Sequence, residues 1–445
     1  MFIKNFKQSI LYLVVFCMLF SLPVMAQEPV ADTFFTDAFQ LQINGSFVDA
    51  PVYATASGSV YLPLRLIAES LGYEVTWNGA DRSIHINTTN PREVFVSEVA
   101  YRHHTDFQSK EINVYQDSYK IYVDNQDTDV YTHHISYNGT TYMIMSGFYR
   151  ALNCEIVYDD IGMTVRVYGP DYVTFGENDA AYFNEKMISN DQFTDLCKFV
   201  YNGAPQSGIN TGYQEVASYL LMNSAYMAAG DQMVDPEGFA DFYKTYESTM
   251  DDYGITDKNF FTTTVLKDYY YRNALTPQLV TDYFNPTDEE LNAILATTSF
   301  ATEPYMKAKH ILIMDNGDGK GLTKAEEILK ELKKNPEKFD ELMAQYSEDP
   351  GSKAQPEGYL FKAGDMVPEF YEGALALEVG EISDPVKTSY GYHIILKVAD
   401  YKNGVPLFEV EDVIKEAYAQ ETMYQLLVNE MAKTNVVINR DYQNN

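Results

Sequence analysis

The fold is decided by the stretch from Met306 to Asp400, which opens with Lys309-His310-Ile311-Leu312-Ile313 and closes with Gly391-Tyr392-His393-Ile394-Ile395-Leu396. Both ends are short apolar runs with several β-branched residues, a pattern typical of buried strands. Each of these predicted strands carries one histidine. Further short strands are predicted near residues 359–361 and 382–386.

Two helices are predicted between the terminal strands. Thr323 and Glu326 have the spacing of a capping box, and the apolar residues that follow lie on one helical face. Asn335-Pro336 ends this helix and begins a second one, since proline is favoured in the first turn of a helix. Strands at both ends with helices between them predict a small antiparallel sheet covered by helices.

Two further segments complete the pattern of this stretch. The acidic turn Tyr346-Ser347-Glu348-Asp349-Pro350-Gly351 follows the second helix, and residues 361–370 contain Phe361, Met366 and Phe370. With the two strand histidines, this order of residues resembles a parvulin-type peptidyl-prolyl isomerase domain along its whole length. The resemblance implies an FKBP-like fold that catalyses cis/trans isomerisation of X-Pro bonds without a cofactor.

The resemblance also implies roles for individual residues. It implies that the catalytic residues are His310, Asp349, His393 and Thr388. It implies that the apolar cup for the proline ring is formed by Phe361, Met366 and Phe370. Taken singly, a strand histidine is usually a core group, and Asp349-Pro350-Gly351 is an ordinary turn. Their occurrence in order over one domain length is what favours the site.

The proposed chemistry exchanges no atoms. Resonance opposes twisting of a peptide bond by about 18–20 kcal/mol, and only bonds before proline have a populated cis state. A useful site would hold the proline ring in an apolar cup, exclude water and favour the twisted amide over the planar one. Such a site requires neither a metal nor a cofactor.

The stretch departs from the parvulin pattern at one place. Pro356-Glu357-Gly358-Tyr359 stands where many parvulins have Gly-Asp-Leu-Gly, so a leucine of the rim is missing. The preference for the residue before proline is therefore left open. No basic cluster follows Ile313, so recognition of phosphorylated Ser-Pro or Thr-Pro is not expected.

Residues 1–26 have the features of a secretory signal peptide. Lys4 and Lys7 precede an apolar run from Ile10 to Leu22, and Val24-Met25-Ala26 offers a cleavage site before Gln27. We expect a secreted or cell-envelope protein; an uncleaved anchor is less favoured, because a membrane span needs about 20 apolar residues. Bulky Phe16 before Cys17 argues against a lipoprotein.

The formal net charge is −32 and becomes −34 once Lys4 and Lys7 are removed. Such a surface repels nucleic acid and anionic lipids, so neutral or cationic partners are expected. Neither nucleic acid nor phosphate-bearing partners are predicted.

Residues 27–170 contain an internal duplication. A shift of 81 positions superposes Tyr73-Glu74-Val75 on Cys154-Glu155-Ile156 and Trp77 on Tyr158, so the pattern strand, strand, helix, hairpin occurs twice. The first copy, with Val60-Tyr61-Leu62-Pro63-Leu64-Arg65, resembles the stalk modules of exported Firmicute proteins named after the N-terminal domain of copper amine oxidases. The resemblance implies a structural or surface-binding module, with cell-wall components as possible partners, and not an oxidase.

Residues 171–305 are predicted to be all-helical and unusually rich in aromatic residues and methionine, including Tyr219, Met222, Tyr226, Phe239, Phe242, Tyr246 and Met250. Such side chains can repack around varied partners or can simply fill a core. Helices placed before an isomerase domain resemble PrsA-like and SurA-like foldases in arrangement. Residues 401–445 predict a long helix and a short strand at Val436-Val437-Ile438, which in PrsA-like proteins completes the helical domain; a coiled-coil helix is the alternative.

Several residues suggest metal or disulfide chemistry. Cys154 and Cys197 fall in different predicted domains, so two buried thiols are favoured over a disulfide. His103-His104 and His133-His134 cannot chelate as neighbours, since adjacent strand residues point to opposite faces. Residues 315–319 have glycines at two positions where a calcium loop needs oxygen ligands, so a flexible turn is favoured.

Together these patterns predict a multidomain α+β protein with duplicated stalk modules, a helical chaperone-like domain and a parvulin domain at 306–400. We expect an exported foldase that acts on unfolded or newly secreted polypeptides containing X-Pro bonds, with chaperone-like client binding by the flanking helices. The alternative is a non-catalytic chaperone or cell-surface binding protein in which the parvulin fold is idle.

Overall fold

In a computed structural model of the 445-residue chain, the described residues are 30–439 without 37–38, 93–98, 102–107, 118, 129–133, 160, 201–209, 316 and 318. The predicted signal peptide, residues 1–26, lies outside the described residues. The chain divides into two compact units, one up to Leu279 together with the residues from Thr422 onward, and the other Val280–Glu421.

The first unit begins with fourteen strands and two helices. The strands are β1 (Val30–Thr36), β2 (Gln40–Ile43), β3 (Ser46–Val48), β4 (Tyr53–Thr55), β5 (Val60–Pro63), β6 (Glu74–Asn78), β7 (Ser83–Asn87), β8 (Gln108–Asp117), β9 (Lys120–Val123), β10 (Gln126–Asp127), β11 (His134–Tyr137), β12 (Thr140–Ile144), β13 (Glu155–Asp159) and β14 (Thr164–Tyr168). The helices are α1 (Leu64–Ser70) and α2 (Met145–Leu152).

The two sequence copies in this region exchange strands. Strands β1, β4, β5, β12, β11 and β8 close a barrel, and two four-stranded sheets have the orders β10-β9-β7-β6 and β13-β14-β2-β3. Strand β2 of the first copy pairs in parallel with β14 of the second, and β9 of the second pairs in parallel with β7 of the first. Each sheet therefore needs both copies, which the sequence repeat alone does not reveal.

The prediction that residues 171–305 are all-helical is wrong at its start. Strands β15 (Asp179–Phe183) and β16 (Lys186–Ser189) form a hairpin whose turn residues Asn184 and Glu185 have positive φ. These strands are too short for alternation to stand out, and the third strand of their sheet, β21 (Val436–Ile438), lies far along the chain.

Helices follow this hairpin. They are α3 (Asn190–Val200), α4 (Asn210–Met233), α5 (Glu237–Asp252), α6 (Lys258–Phe260), a π-helix (Phe261–Leu266), α7 (Lys267–Ala274) and α8 (Pro277–Phe284). A core formed by α3, α4 and the π-helix includes Phe193, Leu220 and Val265, together with Met431 and Val437 from the end of the chain. Cys154 and Cys197 are both buried thiols.

The C-terminal segment is a helix, α15 (Leu407–Lys433), followed by strand β21, as its apolar pattern predicts. The helix has one non-helical residue, Val410, near its start. At its other end, the buried Arg166 donates hydrogen bonds from Nη1 to Asp159 Oδ2 (2.9 Å) and from Nη2 to the carbonyl of Met431 (3.0 Å). The last turn of the helix is thus capped by a charged donor from the duplicated region.

The second unit contains a four-stranded sheet of order β18-β17-β20-β19. Its strands are β17 (Tyr305–Met314), β18 (Tyr359–Phe361), β19 (Val386–Lys387) and β20 (Gly391–Tyr401), and its helices are α9 (Asp288–Ala296), α10 (Ser299–Thr302), α11 (Lys320–Leu332), a 3-10 turn (Pro336–Lys338), α12 (Phe339–Tyr346), α13 (Pro350–Ala354) and α14 (Pro368–Leu375). Thr287 and Glu290 cap α9 reciprocally.

The predicted start of helix α11 is wrong by one turn. The helix begins at Lys320 after Gly319, which has a left-handed conformation, and Thr323 is already inside the first turn. The Thr323 hydroxyl donates back to the carbonyl of Gly319 (3.2 Å) instead of capping the helix. One face of the sheet packs against α11 and α12 through residues such as Ile311, Ile328 and Leu342.

Candidate active site

The two strand histidines lie side by side on one face of the sheet. In the antiparallel pairing of β17 and β20, Leu312 is opposite His393 and His310 is opposite Ile395, so the histidines are diagonal neighbours. Their ring centroids are 5.1 Å apart with an interplanar angle of 88°. Both side chains are buried. The predicted histidine pair is therefore formed in the structure.

Phe370 packs against both histidines. Pro368 begins helix α14, and Phe370 lies in its first turn, with its ring centroid 5.1 Å from that of His310 and 5.3 Å from that of His393. Phe361 lies behind it at 5.7 Å. Phe370 is only 2% exposed, and Met366 is half-buried against the same cluster. Met366 is thus the more accessible of the predicted cup residues.

Asp349 is the N-cap residue of the short helix α13, immediately before Pro350, and it accepts several hydrogen bonds. Its carboxylate receives the backbone N–H groups of Gly351 (3.3 Å) and Ser352 (2.9 Å) and the Ser352 hydroxyl (2.9 Å). The hydroxyl of Tyr359 donates to the same oxygen as Ser352, Oδ2, at 2.6 Å. The side chain is held in one orientation by donors on two different elements.

Asp349 is ionised at neutral pH. Burial by itself raises the pKa of this carboxyl, but hydrogen bonds from Tyr359 and Ser352, aided by His310 and the N–H of Gly351, outweigh burial and lower the pKa to about 2. Because hydrogen bonds stabilise the charged form of an acceptor, the carboxylate persists beside the apolar cup.

His310 faces this carboxylate but stays neutral. Nε2 of His310 lies 3.1 Å from Oδ2 of Asp349, yet neither ring nitrogen makes a hydrogen bond of acceptable angle within the described part of the chain. Burial lowers the pKa of His310 and outweighs the opposing pull of Asp349. Since His310 carries no charge at neutral pH, the hydrogen bonds from Tyr359 and Ser352 are what support the Asp349 carboxylate there.

His393 and Thr388 form the other side of the site. The Thr388 hydroxyl and Nε2 of His393 are 2.8 Å apart, and both side chains are buried. Burial, together with the neighbouring His310, lowers the pKa of His393 to about 4. The histidine is therefore neutral over the physiological range, and Thr388 can select its tautomer.

Sequence reasoning missed one residue of this site, Tyr359. Besides its bond to Asp349, its ring stacks on His310 with centroids 5.5 Å apart and an interplanar angle of 18°. A signal was available, because Tyr359 is two residues before Phe361 on a strand and so lies on the same face. The structure brings all seven predicted residues together in one cluster.

Metal-binding chemistry finds no support in the described residues. No group of three or more His, Cys, Asp or Glu side chains there is arranged to hold a metal ion. His103, His104 and His133 lie outside the described residues, while the buried His134 stacks on Tyr119. No described helix is both long and apolar enough to cross a bilayer.

Two segments match known domain families. Residues 310–399 match the PPIC-type PPIASE domain. The chain carries a parvulin-type domain. Residues 42–167 match the copper amine oxidase N-terminal domain. The second match spans both sequence copies, so this family's domain corresponds to the strand-exchanged pair and not to the first copy alone.

The relatives include foldases. Foldase protein PrsA 3 of Bacillus cereus is 42% identical in an alignment of 139 residues that covers 29% of this chain and 46% of that protein. Foldase protein PrsA of a Geobacillus species is 46% identical over 115 residues, 25% of this chain and 38% of the relative. The crystal structure of PrsA from Bacillus subtilis has 24% identity and a TM-score of 0.27, covering 58% of this chain and 91% of that one. The chain thus spans less than half the length of these two curated relatives.

Proposed function

We propose that this chain is an exported foldase whose parvulin domain accelerates cis/trans isomerisation of X-Pro bonds in unfolded or newly secreted polypeptides. The observation that carries the proposal is the position of the Asp349 carboxylate, 3.1 Å from Nε2 of His310, whose ring packs with those of His393 and Phe370. Similarity to PrsA foldases supports the same function.

The charge of Asp349 supplies a reason for acceleration. Resonance in a planar amide places partial negative charge on oxygen, and twisting the bond removes much of it. A fixed carboxylate near that oxygen raises the energy of the planar form relative to the twisted one. Charge held in place in a partly buried site acts more strongly than in water. Asp349 would lower the barrier by this difference.

The neutral groups would position the substrate. Met366 would contact the proline ring, with the buried rings of Phe370 and Phe361 behind it. His310, His393 and Thr388 would form a floor that adds no charge to compete with Asp349. The absence of a predicted phosphate-binding cluster suits substrates without phosphorylation.

The flanking helices would hold clients. Aromatic rings on α5 and α7 form a contiguous cluster, in which Phe242 lies 4.8 Å from Tyr246, 5.9 Å from Tyr269 and 5.3 Å from Tyr270. Tyr269 is 38% exposed, so part of this cluster is open to a partner. Rigid aromatic side chains bury much area at low entropic cost. An unfolded segment with apolar and basic residues fits this surface and the net charge of −32.

The proposed organisation follows the sequence prediction. It comprises a signal peptide (1–26), a stalk region (27–170), a helical client-holding domain (171–305) completed by residues 401–445, and the parvulin domain (306–400). A secreted or cell-envelope location is proposed with it, because residues 1–26 have the pattern of a signal peptide.

A proline-limited refolding assay with the full chain tests the enzyme. We expect Asp349→Asn to lower kcat by about tenfold, which corresponds to a loss of about 1.4 kcal/mol from the energy difference between the planar and the twisted bound amide. Asp384→Asn is the matched control, since Asp384 is highly exposed in the same domain. If Asp349→Asn and His310→Ala both accelerate refolding as much as the wild type does, the catalytic assignment is wrong. The result would favour the alternative in which the parvulin fold is catalytically idle.

A further inference from the structure

A cleft in the duplicated region has no role in the function proposed above. Its volume is about 420 Å³, within the range of small-ligand sites. Its lining combines two aromatic rings with an arginine and three threonines, namely Trp77, Tyr119, Arg65, Thr76, Thr140 and Thr141. The first sequence copy supplies Arg65, Thr76 and Trp77, and the second supplies the rest.

Trp77 is the most unusual residue of this cleft. It is the only tryptophan in the chain, and 47% of its side chain is exposed. Tyr119 braces it edge-on, with ring centroids 4.9 Å apart and an interplanar angle of 82°. The Tyr119 hydroxyl lies 3.3 Å from the Ser136 hydroxyl. A large apolar ring is thus supported from the side while remaining open to solvent.

The polar groups of the cleft are also supported. Nη1 of Arg65 donates to the carbonyl of Val75 (2.8 Å) and to Oε1 of Glu69 (3.1 Å), which orients the guanidinium beside the tryptophan. Thr141 is opposite Ser136 in the pairing of β11 with β12, so its side chain lies on the same face as the Ser136 hydroxyl, whereas the adjacent Thr140 points to the other face, toward Tyr142. The cleft therefore offers several hydrogen-bonding groups around one exposed aromatic ring.

The second sequence copy provides an internal comparison. The counterpart of Trp77 is Tyr158, which packs on Phe39 with ring centroids 5.2 Å apart. The counterpart of Thr76 is Val157, which is fully buried in the core shared with helix α4. Since adjacent strand residues point to opposite faces, helix α4 covers the Val157 face, and the face of Tyr158 is covered by Phe39. On this second face the first copy leaves the Trp77 ring exposed.

A protein helix does not suit the first copy's cleft. Packed there, it would remove the Arg65 guanidinium and the hydroxyls of Ser136 and Thr141 from water without assured partners, which is costly. A pyranose ring has the complementary chemistry: one face of C–H groups that packs on an aromatic ring, and a rim of hydroxyls that need donors and acceptors. We propose that the Trp77 cleft binds a saccharide chain, with the sugar ring on Trp77 and its hydroxyls on Arg65, Ser136 and Thr141.

The single tryptophan allows a direct test in the full chain. Tryptophan fluorescence is titrated with tetramers of N-acetylglucosamine, β-linked glucose and α-linked glucose, and with a proline-rich decapeptide. We expect a saturable change in Trp77 emission with at least one saccharide. No change with any saccharide would overturn the proposal, as would a change with the peptide alone.

Variants then test the location by calorimetric titration with the responding saccharide. Trp77→Ala should weaken binding more than tenfold, and Thr141→Val about fivefold, the loss expected for one hydrogen bond. Tyr149→Ala is the matched control, because Tyr149 is 46% exposed on α2 outside the cleft. Circular dichroism shows whether each variant is folded. If folded Trp77→Ala and Thr141→Val bind like the control, the saccharide binds elsewhere and the proposal is wrong.

Discussion

Asp349 and Asp268 are carboxylates withdrawn from solvent in different compact units, and their surroundings move their pKa values in opposite directions. The Asp349 side chain is 22% exposed, and its pKa is lowered to about 2. The Asp268 side chain is only 2% exposed, and burial raises its pKa despite opposing contacts from Arg272, Tyr219 and Asn223. Asp349 is thus a carboxylate whose charged form is stabilised by its surroundings, whereas Asp268 is one whose charged form is disfavoured by burial.

The difference lies first in burial, which is deeper for Asp268, and then in how many donors reach each carboxylate. Asp349 accepts two backbone N–H groups and two hydroxyls, as expected at a helix N-terminus. Asp268 Oδ2 accepts from Arg272 Nε (2.8 Å) and the Tyr219 hydroxyl (3.2 Å), while Oδ1 is buried without a hydrogen bond among the described residues. The donors of Asp268 therefore do not offset its burial, whereas those of Asp349 outweigh a shallower burial.

The largest effect is expected from removing Asp268. Asp268→Ala leaves Arg272, whose side chain is 25% exposed, with only the rings of Tyr219 and Tyr226 beside it. Loss of one member of a buried pair typically costs about 3–5 kcal/mol. Urea unfolding followed by the fluorescence of Trp77, which lies in the same unit, should therefore shift strongly to lower urea.

Asp241→Ala is the control for this experiment. Asp241 belongs to the same helical region and pairs with Lys244, but its side chain is 86% exposed. Exposed ion pairs contribute little, so unfolding of this variant should match the wild type. Equal unfolding of the Asp268 and Asp241 variants would contradict the reading of Asp268 as a buried partner of Arg272.

A smaller effect is expected from Tyr359→Phe, which removes one donor from Asp349 and keeps the ring over His310. A hydrogen bond to a charged group is worth about 1.5–3 kcal/mol, so its loss should raise the pKa of Asp349 toward the ordinary value of 3.8. Titration of the Asp349 carboxyl carbon by NMR measures this shift. In refolding assays at neutral pH, kcat should fall because the carboxylate is less firmly oriented.

Tyr390→Phe serves as the matched control, since Tyr390 is 63% exposed in the same domain. It should leave both the carboxyl titration and the isomerase rate unchanged. An Asp349 pKa that stays near 2 in Tyr359→Phe would mean that Ser352 and the backbone of α13 suffice, and Tyr359 would then have no positioning role.

Local signals in the sequence predicted much of this site. The apolar runs around His310 and His393 predicted the two central strands. The helix that presents Phe370 was not predicted, although Pro368 in its first turn is a local signal. The reciprocal cap of Thr287 and Glu290 was also predictable, because all its partners lie within one turn. These features depend on neighbours in the chain and on simple periodicity.

Features set by distant partners were not predictable in the same way. The sheet of β15 and β16 depends on β21, and the exchange of β2 and β9 depends on the pairing of two similar copies. The hydrogen bond from Tyr359 to Asp349 joins a strand to the start of a helix, so the local sequence of neither segment predicts it. The Thr323 prediction failed because Gly319 permitted an earlier helix start.

The smallest effect concerns the dependence of stability on pH. Asp349 has a folded pKa near 2, below the unfolded value of 3.8, so the unfolded chain binds more protons between these values. Its contribution to stability is present above pH 3.8 and is lost as pH falls toward 2. Asp268 has a raised pKa, so its contribution is present below pH 3.8 and is lost as pH rises through the folded value.

Differences between variants isolate these opposite slopes. Unfolding free energies of the wild type, Asp349→Asn and Asp268→Asn are measured in urea at pH values from 2.5 to 6. The advantage of the wild type over Asp349→Asn should shrink as pH falls below 3.8, because protonation removes the charge that the donors stabilise. The wild type should lose stability relative to Asp268→Asn as pH rises above 3.8, since only Asp268 must ionise within the core. If the stability difference between wild type and variant changed with pH in the same direction for Asp349→Asn and Asp268→Asn, the prediction would be wrong. Arg272 would then offset the burial of Asp268 to the same extent as the hydrogen-bond donors offset the burial of Asp349.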